Sequence, residues 1–153
     1  MPEEKDIVSL MESALTREYE LYQQLFFLSQ QQMGLLRNPS PDTEQVARLM
    51  DQKMNCLSEI RNLEEADRPI KGKWEKEHQQ CSSEQRHRIS QCVDTVTKLI
   101  EQLKELEDEI AESIKRCERE VNQQLKALYK GRAVTRAYFE PNPGFPRIID
   151  KWK

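Results

Sequence analysis

The side chains that could do chemistry are few and poorly grouped. His78, Cys81, His87 and Cys92 are the one set of metal-ligating types that lies close together, with His78 and Cys81 spaced to share a helix face. Zinc sites usually show paired short spacings with a turn between them; this stretch has one such pair, so no metal is expected. Cys92 and Cys117 read more simply as small apolar residues on or beside a helical stripe. Nucleophilic catalysis needs a base beside a Ser or Cys, yet the two histidines, His78 and His87, sit among Glu, Gln, Arg and Lys. The carboxylate runs Glu64-Glu65-Asp67 and Glu105-Glu107-Asp108-Glu109 read as charged outer faces of helices. The four glycines stand far apart, so no Gly-rich phosphate loop exists. No catalytic residue and no cofactor is expected, and the chain reads as non-enzymatic.

A nucleic-acid interface would rest on Lys126, Lys130, Arg132 and Arg136 with Tyr138. Cations at a helix C-terminus are also what the macrodipole favours, and the net charge is only −3. Nucleic acid is therefore not expected as a partner. The first ten residues, MPEEKDIVSL, are acidic and lack an apolar core, and nowhere do about 18 apolar residues run together. A cytoplasmic protein without a membrane anchor is expected. Four widely spaced cysteines, Cys56, Cys81, Cys92 and Cys117, suit reduced thiols in a helical bundle better than a disulfide framework.

The prolines mark where elements can end, because Pro inside a helix costs roughly 3 kcal/mol. They fall at Pro2, at Pro39 and Pro41, at Pro69, and at Pro141, Pro143 and Pro146. Three segments remain, predicted as helices over about 5–36, 41–66 and 83–130. In the first, Ile7, Met11, Ala14, Leu21, Leu25, Leu28 and Leu35 alternate at three and four, interrupted by Glu18 and Gln32. A second stripe, Val8, Leu15, Tyr19, Tyr22, Phe26 and Met33, lies beside it, so this helix should touch two neighbours. Ser40 and Pro41 read as N-cap and first residue of the second helix. There Val46, Leu49, Met50, Leu57, Ile60 and Leu63 form a stripe that Lys53 interrupts, and residues 70–80 read as a connector.

From Ser83 to Lys130 there is neither Gly nor Pro. Ile89, Val93, Val96, Ile100, Leu103, Ile110, Ile114, Cys117, Val121 and Leu128 keep a heptad rhythm, with Glu107 and Gln124 as polar entries. Gly131, after Lys126 and Lys130, reads as the helix stop. Residues 131–153 form a basic tail with three prolines and six bulky anchors, Tyr138, Phe139, Phe145, Ile148, Ile149 and Trp152. It either docks on the bundle or awaits a partner. The expected fold is all-α: an elongated antiparallel three-helix bundle or coiled coil over residues 1–130, with one long C-terminal helix and an irregular Pro/aromatic tail.

At about 1.5 Å per residue the three helices measure roughly 48, 39 and 72 Å, so an antiparallel arrangement leaves helix 3 without a neighbour beyond about Ile110. That second half carries Ile114, Cys117, Val121, Leu125 and Leu128, a stripe that something should cover. Burying five large side chains supplies roughly 7–15 kcal/mol gross at about 1.5–3 kcal/mol each. Micromolar affinity needs about 8 kcal/mol, so capture of a partner helix is energetically sufficient.

The REYELYQQL, KMNCLSEIRNLEEADRPI and LKALYKGRAVTRAYFEPNPGFPRIIDKWK segments resemble flagellar export chaperones of the FlgN type. The most distinctive likeness is a long helix followed by Gly, an Ala-Tyr pair, and a Pro-containing segment ending in Ile-Asp-Lys. The resemblance implies a cytoplasmic chaperone of type III flagellar export that holds the C-terminal helices of hook–filament junction proteins and delivers them to the export gate. It places substrate binding on the helix that carries Ile114, Val121, Leu125 and Leu128. A tyrosine near the C-terminus that docks at the gate is best matched by Tyr138, with Tyr129 second. The alternative is a structural coiled-coil subunit that self-associates through helix 3; the chaperone reading itself accommodates a monomer or a weak homodimer.

Overall fold

A computed structural model describes residues 6–138 of the chain, with side chains from residue 6 to residue 131. Three α-helices make up this range: α1 (Ile7–Leu36), α2 (Thr43–Glu77) and α3 (Ser83–Tyr138). A 3-10 turn, His78–Gln80, links the last two, and no strand occurs among the described residues. The all-α bundle expected from the sequence is the observed fold. The chain divides into two units, Met1–Ile110 and Ala111–Lys153.

In the first unit, cross-helix contacts fix the directions. Arg17 meets Asp67, Tyr22 meets Glu64 and Gln32 meets Lys53, so α2 runs antiparallel to α1. Glu12 pairs with Arg88 and Ser29 with Glu107, so α3 runs parallel to α1. The wide apolar arc of α1 serves both neighbours. One buried cluster joins Ile7, Val8, Met11 and Leu15 to Ile89 and Val96, with Ile70 and Trp74 packed against it. The other joins Leu25 and Leu28 to Leu49, Cys56, Ile60 and Leu103.

Each helix start is capped. The Asp6 carboxylate accepts from the Val8 amide of α1 at 3.4 Å. The Asp42 carboxylate accepts from the Glu44 amide at 3.0 Å, so Asp42, and not Ser40, caps α2. Aspartate is as good a cap as serine, and its charge adds a favourable interaction with the helix dipole. Before α3, Ser82 and Gln85 exchange bonds reciprocally, at 3.1 Å to the serine hydroxyl and 3.0 Å to the glutamine amide oxygen.

Three features differ from the sequence expectation. Helix α2 does not stop at Asp67-Arg68-Pro69 but continues through Pro69 to Glu77. Pro69 is exposed, so the carbonyl it leaves without an amide donor can face water, while Ile70 and Trp74 beyond it bury apolar surface against the first cluster. Helix α3 passes Gly131 to end at Tyr138. No glycine among the described residues has positive φ, so Gly131 is not a left-handed stop, and seven residues free of Gly and Pro follow it. The tail expected over 131–153 thus begins inside α3, and its remainder lies outside the described residues.

The third difference concerns which side of each stripe turns inward. On α3, Ile89, Val96, Leu99, Leu103 and Ile110 are buried, whereas Val93 and Ile100 face out. On α2, Leu49, Cys56 and Ile60 are buried while Met50 and Leu57 are exposed. Apolar residues stand on both flanks of each seam, and the packing partner decides between them.

Candidate functional site

The interruptions in the apolar stripes find one another. Lys53 of α2 donates to the Gln32 amide oxygen of α1 at 2.6 Å and to Glu107 of α3 at 2.7 Å. Ser29 of α1 donates to the same Glu107 oxygen at 2.5 Å. All three helices therefore meet in one polar layer set among apolar side chains. Closer to the α1 start, Lys71 pairs with the buried Glu18 at 2.5 Å, and Arg17 pairs with Asp67 at 3.3 Å. Asp67 is only 1% exposed, and Glu107 is engaged by Lys53 and Ser29, so the carboxylate runs are not uniformly solvated faces. A stripe position that must be polar is filled where a partner of opposite character faces it.

The residues sketched as a zinc site are held otherwise. Nδ1 of His78 lies 2.9 Å from the Glu75 carbonyl oxygen and 3.2 Å from that of Trp74, bonding back to its own helix end. Cys81 and Cys92 pack against the first apolar cluster. Among the described residues, no group of three or more His, Cys, Asp or Glu is placed to hold a metal ion. Burial, with the Glu59 charge in second place, pushes the Cys56 thiol above its ordinary pKa, and it donates to the Leu21 carbonyl. No described helix is long and apolar enough to cross a membrane.

The proposed partner stripe lies on α3 in the second unit. Val121 and Leu128 are each 52% exposed and Ile114 is 37% exposed, while Cys117 and Leu125 are half-buried. Three large apolar side chains are thus accessible on one helix face, at a spacing of seven. Charges of both signs flank them, from Lys115, Arg116, Glu118, Arg119 and Glu120 to Lys126 and Lys130. Tyr129 is half-buried on the same helix. Tyr138 is the last residue of α3, and its side chain lies outside the described residues, as do those of Arg132 and Arg136.

Sequence reasoning singled out Glu18, Gln32, Lys53 and Glu107 as interruptions but missed Ser29 and Lys71, their partners. Neither breaks a stripe, so periodicity gives no signal for them.

No curated protein and no solved structure matches the chain. The family model described as FlgN protein matches residues 8–141, which takes in all three helices. An all-α bundle whose longest helix keeps apolar side chains accessible accords with a protein that holds other proteins, and the chain belongs to the FlgN family of flagellar export chaperones.

Proposed function

We propose that this chaperone holds hook–filament junction proteins by their C-terminal helices and delivers them from the cytoplasm to the export gate. The observation that carries the reading is the accessible stripe on α3, Ile114, Val121 and Leu128, with Cys117 and Leu125 beside it. An amphipathic partner helix laid along these side chains buries them at i, i+3, i+4 and i+7 anchors. Charged flanks of both signs on α3 then select register and orientation more than affinity. Docking at the gate is assigned to Tyr138, with Tyr129 as the second choice. Pull-down of a hook–filament junction protein by the intact chain, compared with the Val121→Asp and Leu125→Asp double variant, tests the reading. Binding is lost in the variant while circular dichroism stays helical; unchanged binding would sink it.

A second reading is favoured by a register observation. Val93, Ile100, Ile114, Val121 and Leu128 stand at multiples of seven along α3, with Glu107 in the remaining place, and each is exposed. Such a spacing is that of a coiled-coil seam, and it suits pairing of α3 with its own copy. Sedimentation equilibrium separates the two, because a monomer at tens of micromolar excludes stable self-pairing.

A further inference from the structure

The first unit contains a cleft of about 300 Å³ where the three helices come together near the α2 end. Its walls are apolar, formed by Met11 and Leu15 of α1, Trp74 of α2, and Val93 and Val96 of α3. Glu18 also lines it, and this side chain is 3% exposed. One Glu18 oxygen accepts from Lys71, which also borders the cleft, whereas Oε2 is buried with no hydrogen-bond partner among the described residues. A buried carboxylate oxygen without a donor is costly and is usually satisfied by something. Among the charged residues that line the cleft, Glu18 and Glu75 outnumber Lys71 by one.

We propose that this cleft binds an organic monocation: an ammonium, guanidinium or amidinium group carried on a short apolar body. The cationic N–H donates to Glu18 Oε2 and neutralises the excess charge, a charge-assisted bond stronger than a neutral one. The apolar body fills the space between Met11, Leu15 and Val96, with Trp74 in the cleft wall as an aromatic neighbour of the cation. A neutral apolar molecule leaves the carboxylate oxygen unmet, and an anion is repelled by it. The same chemistry describes a free amine and an arginine or lysine side chain reaching in from another protein.

Fluorescence of the full chain tests this, in a Trp152→Phe background that leaves Trp74 as the only tryptophan. Benzamidine is the probe, and benzamide, of nearly the same shape without the charge, is its control. Benzamidine is expected to shift the Trp74 emission saturably, with Glu18→Gln weakening the effect by about tenfold or more and benzamide giving a comparably weak response. Val93→Phe, which narrows the cleft from its exposed edge and leaves Glu18 in place, is expected to weaken benzamidine as well; it keeps the test decisive should Glu18→Gln unfold. N-acetyl-arginine amide distinguishes the two sources. Tighter binding than benzamidine assigns the cleft to a partner's arginine, and weaker binding assigns it to free amines. Equal responses to benzamidine and benzamide, or no saturable response to benzamidine, overturn the proposal and leave the cleft to ordered water.

Discussion

Lys53 shows what one polar residue costs and fixes inside an apolar seam. It sits on α2 where heptad spacing calls for an apolar side chain, and it is buried with Gln32 and Glu107 as acceptors. Removing the cation alone strands the Gln32 amide oxygen, so Lys53→Met is expected to lower unfolding free energy by roughly 1–3 kcal/mol in urea titrations. Replacing the set together, Ser29→Ala and Gln32→Leu with Lys53→Met and Glu107→Leu, removes every polar side chain of the layer and is expected to restore stability to the wild-type value or above. A quadruple variant as unstable as the single one would show that the layer contributes more than mutual satisfaction. Tyr22 carries the pH dependence of the same bundle. Burial, then the hydrogen bond to Glu64, then the Glu64 and Glu18 charges raise its pKa well above the ordinary value. The folded state thus favours the neutral phenol, a contribution present below pH of about 10 and lost as pH rises toward the folded-state value. Urea midpoints should fall above pH of about 10 in the wild type, and fall less steeply in Tyr22→Phe.

At the scale of helices, rules that usually end an element were outweighed, and the outcome is measurable. Gly72 lies within α2, exposed, and a Cβ there would meet no atom within 4 Å. Gly72→Ala is therefore expected to raise stability by about 1 kcal/mol in urea titrations. Pro69→Ala restores an amide donor in the same helix and should also stabilise, whereas a helix that really stopped at Asp67 would gain nothing from either change. The extent of α1 was legible because two apolar stripes run to Leu36 without a proline, and Gly34, within its last turn, did not end it. The end of α2 was not legible, because Ile70 and Trp74 reveal their value only once the faces of α1 and α3 they pack against are known. The seam of α3 was legible as a heptad but not as a side, since Val93 and Ile100 are as apolar as Leu99 and Leu103.

For the whole chain, stability and binding should separate by unit, and the separation was readable from residue types only in part. The stripe from Ile114 to Leu128 was visible as an apolar run, but its exposure is a property of packing, which periodicity does not report. Ile89 is 1% exposed within the first unit, so Ile89→Ala removes a filled core position and should cost about 2–5 kcal/mol. Val121, with half its surface in water, fills no such position, and Val121→Ala should stay within about 0.5 kcal/mol of the wild type. Urea unfolding at two protein concentrations tells more than the two values alone. A stripe covered by a second copy makes Val121→Ala costly at high concentration and neutral at low concentration, because dimerisation stabilises by mass action. A stripe covered within one chain makes it costly at both. A stripe left open for an export substrate makes it neutral at both, and then adding the substrate's C-terminal helix should raise the wild-type midpoint and leave that of the Val121→Asp and Leu125→Asp variant where it was.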